Sequence, residues 1–441
     1  MNILFISLFT RQNELRKFFQ LGLAYLVSSL RKINIEPDVL LCDVFNFDHQ
    51  YISRYLKMKH YDLIGIGFLY DNVKNAIKTA ELIRSASPKS KILIGGAGPS
   101  CCPEFILEKI KPDFLATGEA EITIQLLVNT LLNNSDLKKV PGIYFKEGNR
   151  YSNTGPEKIF EKLSDCPLPA WDKFPLKYYK KSENPLPSVR KTDCCMPVIT
   201  SRGCPYKCNF CFNPNKYRVR KVEDIIFEIK LLKERHKINF IHFYDELFMA
   251  SKKRTLDICH AIIDERLNIR YLITGRANIV DKEQILALKE SGCVCIGYGV
   301  ESGDQQVINR MNKKITIEQV LHAVEITREA GIYVMPQAIF GQPGENRETL
   351  KKTKELFMKI TDNYRTIRPL TPYPGTPIYK WALENGYIKD AEDFFSKFSH
   401  AETLSVNLTE LSDEEFLLEL NQANKELRDY HEKTFCKRKV S

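Results

Sequence analysis

The chain has 441 residues, 43% hydrophobic and 27% charged, with a net charge of +10 from 65 Lys and Arg against 55 Asp and Glu. That length holds two or three domains with full cores, and no apolar run approaches the ~20 residues a bilayer span needs. The basic residues are spread along the chain with no compact tract before Lys437-Arg438-Lys439, which gives little reason to expect a nucleic-acid partner.

Through residue 133, strand-like and helix-like patterns alternate. Apolar runs at 3–7, 37–42, 63–68, 92–95 and 114–117 read as buried strands, and helical periodicity fills 18–32, 72–85, 103–110 and 120–132. Five such units predict a doubly wound parallel sheet of Rossmann or flavodoxin type over 1–135, which binds ligands at the carboxyl ends of its strands. Glycines sit at those ends: Gly65 and Gly67 after the third strand, Gly95 and Gly96 after the fourth, Gly118 after the fifth. Lacking a Cβ, glycine admits a flat or bulky ligand against the backbone. One such loop is equally a tight turn; three at successive strand ends point to a ligand surface. Cys101 and Cys102 beside them read as packing residues.

Residues 136–190 read as a linker, rich in proline and lysine in its later part. A second alternation follows, with strands at 197–201, 240–244, 270–274, 294–300, 333–340 and 366–371. Six βα units predict a partial, TIM-like barrel over 191–385. Residues 386–441 read as a C-terminal helical segment whose stripe of Phe416, Leu417, Leu420, Ala423 and Leu427 docks on the barrel. The thirteen cysteines, mostly single, read as reduced thiols, and residues 1–9 are too short for a signal peptide, so the expected location is cytoplasmic.

Directly after the first barrel strand stand Cys204, Cys208 and Cys211, spaced C-x3-C-x2-C. Three thiolates on so tight a loop hold three irons of a cubane cluster and leave the fourth open for chemistry. A structural zinc site is the alternative, with Cys194 or Cys195 as fourth ligand. Polar residues recur at the later strand ends: Asp245 with Glu246, Arg276, Glu301 with Ser302, and Gln337. Any one alone reads as well as a helix cap, and residues 311–314 read as a helix-end surface.

The cysteine loop resembles the cluster motif of the radical S-adenosylmethionine (SAM) superfamily. The segments Leu21-Gly-Leu-Ala-Tyr-Leu26, Asp62-Leu-Ile-Gly-Ile-Gly67, Ile94-Gly-Gly-Ala-Gly-Pro-Ser100 and Thr117-Gly-Glu-Ala-Glu121 are similar to the cobalamin (B12)-binding domain that precedes the barrel in one subgroup. The resemblance implies that the open iron of a 4Fe–4S cluster binds S-adenosylmethionine and cleaves it to a 5′-deoxyadenosyl radical, which removes hydrogen from substrate. It places Phe210 and Gln337 by the adenine and Asp245 at the methionine amino group; Arg276 can then reach the methionine carboxylate or a substrate anion, and Glu301 with Ser302 can accept from and donate to the ribose hydroxyls. It lays cobalamin against Gly65, Gly67, Gly95, Gly96 and Gly118. The D-x-H-x-x-G element that gives cobalt a histidine in other cobalamin proteins is absent from this sequence, so the corrin sits without that ligand or the domain has lost it.

The function so implied is C-methylation of an unactivated carbon in a small molecule, lipid or peptide, with an external electron donor. A radical oxidative cyclase is the alternative within the subgroup, and a cluster-bearing binding module without turnover is the alternative outside it. The methylthiotransferases carry three further N-terminal cluster cysteines, a pattern that Cys42, Cys101 and Cys102 do not make.

Overall fold

Ile3–Ser7 (β1) is buried at all five positions, the mark of a central strand covered on both faces. In the computed structural model, which describes residues 1–8, 17–180, 188–361 and 365–435, β1 lies between Asp38–Leu41 (β2) and Leu63–Gly67 (β3). Lys91–Gly95 (β4) and Phe114–Ala116 (β5) follow. The order β2-β1-β3-β4-β5 is parallel throughout, the flavodoxin order with its switch point between β1 and β3. Helices Leu21–Arg31, Val73–Ala86, Pro103–Ile110 and Glu121–Leu132 fall where the periodicity put them. His49–Met58 was not anticipated, because only Ile52 and Leu56 are buried along it and its apolar stripe is thin.

The sheet also runs on past residue 135. Ile143–Glu147 (β6) and Arg150–Asn153 (β7) add an antiparallel hairpin at the β5 edge, turning at Gly148 with φ 63°. Part of the stretch read as a linker is therefore sheet, and the chain divides by contacts into Met1–Asn184 and Pro185–Ser441.

In the second unit, Cys195–Val198 (β8) leads to a short antiparallel pair, Ser201–Arg202 (β9) with Arg218–Val219 (β10). Phe240–Phe243 (β11), Arg270–Gly275 (β12), Cys293–Glu301 (β13), Tyr333–Phe340 (β14) and Ile367–Pro369 (β15) complete it. The order β15-β14-β13-β12-β11-β8 is parallel at every step, an open six-stranded barrel. Alternation sorts its side chains. Tyr271 and Tyr298 point outward, their hydroxyls 2.7 Å from Ser291 Oγ and 3.0 Å from Thr327 Oγ1. On the inner face Phe240, Leu272 and Cys295 form a buried floor with Val189, Cys195, Tyr333 and Met335 packed against it.

Helix Asp413–Phe435 covers the β15 edge. Asn424 accepts from Ile367 N (2.8 Å) and donates to Ile367 O (3.0 Å), giving the edge strand the partner a neighbouring strand would supply. Phe416, Leu420, Ala423 and Leu427 are buried, and Phe416 stacks on Phe340 at 4.8 Å. Leu417 is 42% exposed and falls off the stripe, which follows the i, i+4, i+7 rhythm without it.

Candidate active site

The cysteine loop is an excursion between β9 and β10, and its base is clamped. Asp245, after β11, accepts from Thr200 N (2.6 Å), from Thr200 Oγ1 and from Ser201 Oγ (2.7 Å). Arg254 donates to Thr200 O and to Arg220 O, both at 2.8 Å. The two legs meet at Gly203, φ 77°, where a Cβ would stand 2.7 Å from the carbonyls of Asn215 and Lys216. Asparagines hold the loop itself. Asn213 Nδ2 donates to Cys204 O (2.7 Å), Asn312 Nδ2 to Lys207 O (2.6 Å), and Asn209 and Gln342 exchange amide hydrogen bonds at 3.3 and 3.2 Å.

Cys204 and Cys208 are half-buried and Cys211 is exposed, all as free thiols. Neighbouring protein crowding its sulfur raises the Cys211 thiol although the residue as a whole is exposed, with Cys208 and Cys204 adding to the rise and Lys313 opposing it. Burial also raises Cys204, and Arg276 opposes that. The loop thus groups three thiols and sets two cations beside them, which suits an anionic cluster, since a metal deprotonates the thiols it binds. Among the described residues no three His, Cys, Asp or Glu side chains converge on a single metal position. Cys195 pairs with Phe240 at the amino end of β8, whereas the loop leaves the carboxyl end. The fourth zinc ligand imagined there is at the wrong end of the strand.

Arg276 follows β12. It is 6% exposed, its guanidinium lies 3.6 Å over the Tyr206 ring, Nε donates to Asn278 Oδ1 (2.9 Å), and Nη1 is 4.0 Å from Cys208 Sγ. Its Nη2 is buried with no hydrogen-bond partner among the described residues. A donor left unspent in such a place costs free energy unless an acceptor arrives, and a carboxylate beside the cluster loop is the acceptor its fork suits.

Asp245 is in a different position from the one expected. Its carboxylate, 3% exposed, is used up on Thr200 and Ser201 and so holds the loop base rather than facing a ligand. Glu246 is the exposed carboxylate of the two, near Gly203 N–H and Cys204. Ser302 is likewise turned inward, bonded to Thr353 Oγ1 and Asp304 N, each at 3.2 Å. Glu301 does stand at the mouth, at a bulge ending β13. Its Oε1 accepts from Lys313 Nζ at 2.7 Å. Residues 311–314 were read as surface, yet Met311 is 0% and Lys313 6% exposed; Lys313 also lies 5.7 Å from the Phe210 ring.

Between mouth and floor one inner row holds Thr274, Gly297 and Met335, with Gly299 and Gln337 in the row above and Tyr244 just past the end of β11. The glycines remove side chains from the β13 wall. His242 meets Tyr244 edge to face at 4.4 Å, and burial drives its pKa down to about 4, so the imidazole is neutral at pH 7 and keeps one acceptor nitrogen. The lumen is apolar and aromatic with a few neutral polar groups, the usual make-up of a small-molecule site.

In the first unit, the strand-end glycines separate into kinds. Gly65 is buried, and a Cβ there would strike the Phe5 ring at 2.6 Å, so it serves packing. Gly96, φ 101°, would set a Cβ 2.8 Å from Phe68 O; it serves the turn. Gly118, φ 60°, meets the Glu157 side chain. Gly67 and Gly95 are open, with no atom nearer than 3.8 Å to either Cβ position, and Leu69 beside them is 55% exposed. This bare backbone ledge at the ends of β3 and β4 fits one face of a large flat ligand such as a corrin. Cys101 and Cys102, Sγ atoms 3.5 Å apart, pack against Gly98 O.

Comparison with known proteins agrees with both halves. A B12 binding domain matches residues 16–128, and the Radical SAM superfamily matches residues 198–357. An uncharacterized methyltransferase of Pyrococcus horikoshii is 29% identical over 375 residues, 83% of this chain and 79% of that protein. The hopanoid C-3 methylase of Methylococcus capsulatus is 27% identical over 392 residues, 86% of this chain and 72% of that one. In fold, the chain is similar to TsrM from Kitasatospora setae, a radical SAM methyltransferase solved with cobalamin and a [4Fe-4S] cluster bound. The TM-score is 0.74 at 19% identity, covering 87% of this chain and 78% of that one. A radical SAM domain implies a 4Fe–4S cluster and S-adenosylmethionine, and a B12-binding domain implies cobalamin. The chain thus carries a radical SAM domain with a B12-binding domain ahead of it.

Proposed function

We propose that the protein is a cobalamin-dependent radical SAM methyltransferase that adds a methyl group to an unactivated carbon. The observation that carries the reading is the pairing, in one chain, of a buried unspent Arg276 nitrogen beside a three-cysteine loop with an open glycine ledge at Gly67 and Gly95. The relatives named as methyltransferases support the same outcome. When bound, the cofactors supply radical generation and a transferable methyl group, the chemistry that amino-acid side chains lack.

The residues hold and orient. Cys204, Cys208 and Cys211 hold the cluster. Arg276 receives the methionine carboxylate on Nη2, Glu246 the amino group, and Glu301 a ribose hydroxyl on the oxygen not taken by Lys313. Phe210 and Gln337 border the adenine. The substrate carbon enters the lumen, where Tyr244 and Met335 exclude water and His242 stands ready to accept a hydrogen bond. Reducing electrons come from an external donor, by way of the exposed Cys211 side of the loop.

The test is anaerobic reconstitution with hydroxocobalamin and methyl-labelled S-adenosylmethionine, followed by mass analysis of a candidate-substrate panel. A product heavier by one CH2 with the label retained is expected. A product that loses hydrogen without gaining carbon would assign a ring-forming oxidation instead.

A further inference from the structure

Lys313 lies outside every strand-end pattern, yet it connects two parts of the site. The turn that carries it follows helix Gln305–Arg310 and is tied to the cysteine loop on both sides: Asn209 N donates to Met311 O (3.0 Å), and Asn312 Nδ2 donates to Lys207 O (2.6 Å). From this turn the ammonium reaches Glu301 Oε1 at 2.7 Å with both side chains nearly buried. Two sequence oddities make room for the contact. Glu301 adopts φ 69°, a left-handed backbone that is strained for a non-glycine residue and persists only where its surroundings enforce it. Gly299 leaves empty the place where a Cβ would lie 2.4 Å from Glu301 Oε1 and 2.8 Å from Lys313 Nζ. A buried ion pair of this kind is a poor stabiliser, since desolvating both charges offsets their attraction.

We propose that Lys313 is a positioning residue that fixes Glu301 for the hydroxyl pair of S-adenosylmethionine and places a positive charge beside the cluster loop. The inference rests on the function proposed above. Its geometry follows from the pair. With Oε1 held by the lysine, the carboxylate cannot rotate, and its second oxygen, which has no hydrogen-bond partner among the described residues, is presented at the mouth. The same ammonium lies 5.7 Å from the Phe210 ring, one residue before Cys211. A fixed cation there favours the more negative, reduced form of a cluster on that loop. One side chain thereby sets both cofactor affinity and the ease of reduction.

Anaerobically reconstituted wild type, Lys313→Met and Lys313→Arg are compared by iron and sulfide content, by equilibrium dialysis of labelled S-adenosylmethionine, and by spectroelectrochemical midpoint. Lys313→Met is expected to keep its iron and sulfide, to bind S-adenosylmethionine roughly ten- to hundredfold more weakly as a charged hydrogen-bond partner is lost, and to show a more negative midpoint. Lys313→Arg keeps the charge and holds the midpoint near wild type. If the lone buried carboxylate prevents Lys313→Met from folding, Lys313→Met with Glu301→Gln removes both charges and is expected to fold with the same loss of S-adenosylmethionine affinity and a smaller negative shift of the midpoint, since the removed charges oppose each other at the loop. Unchanged affinity together with an unchanged midpoint overturns the role of Lys313. Failure of the wild type itself to take up cluster and S-adenosylmethionine overturns the functional reading beneath it.

Discussion

At the scale of single residues, the site depends on which polar atoms are already engaged. On the proposed assignment of the cluster to Cys204, Cys208 and Cys211, replacing all three with Ala should abolish the visible iron–sulfur absorption and every trace of S-adenosylmethionine cleavage. Iron retained in that variant would move the site elsewhere. Arg276→Lys keeps the charge but loses the planar fork, so S-adenosylmethionine should bind about 1.5–3 kcal/mol more weakly with the cluster spectrum intact. Glu345 gives a prediction in pH. It is fully buried, accepts from Gly341 N (2.7 Å) and Gln342 N (2.9 Å), leaves Oε1 unpartnered, and is pushed by burial up to about 7. The folded chain then holds this proton more tightly than the unfolded one, so stability is full below the ordinary value of 4.5 and falls as pH rises through about 7. Glu345→Gln should flatten the melting-temperature profile over that interval; an unaltered slope would show another group sets it. These residues also mark what the sequence could not convey. Asp245 and Glu246 are neighbours of the same type at the same strand end, and only the backbone path decides that Asp245 turns back to Thr200. Lys313, in a run of two lysines, has the local signature of solvent; its partner is twelve residues away in sequence and is brought to it by the β13 bulge.

Among elements, the parallel strands were legible because burial on both faces makes them near-continuous apolar runs, as in the Ile-Leu-Phe-Ile-Ser of β1. The β6–β7 hairpin was hidden by the opposite circumstance: its β7 residues, Arg-Tyr-Ser-Asn, are polar and none is buried. Gly148 between two short strands was the signal available for it. Glycine position was legible, glycine purpose was not. The sequence treats Gly65, Gly67, Gly95 and Gly96 alike, while the Phe5 ring and the Phe68 carbonyl separate them. That distinction chooses the variant. Gly96→Phe would disturb the turn by backbone strain, whatever it did to a ligand. Gly67→Leu has room for its Cβ, so it should leave the melting temperature within a few degrees of wild type and remove bound corrin after desalting with hydroxocobalamin. Full corrin retention in a folded Gly67→Leu protein would take the ledge out of the site. At the other end of the chain, Asn424→Ala leaves the Ile367 backbone groups without partners, at a cost of about 1–3 kcal/mol in denaturant unfolding.

For the whole molecule, Met1–Asn184 and Pro185–Ser441 each have their own sheet and core, so each cofactor should register on stability through its own unit. A ligand that binds only the folded state stabilises it by about 2.7 kcal/mol when present at about one hundred times its Kd. For units of this size that amounts to a rise on the order of 5–10 °C in the transition of the unit that binds. Hydroxocobalamin should therefore raise a melting transition of the wild type and of Arg276→Lys, but not of Gly67→Leu. S-Adenosylmethionine, added to cluster-loaded protein, should raise a transition in wild type and Gly67→Leu, and much less in Arg276→Lys. The crossed pattern is what matters, because a variant that merely weakened the fold would lower both responses together. If Gly67→Leu loses its response to S-adenosylmethionine as well as to hydroxocobalamin, the assignment of one cofactor to each unit is wrong.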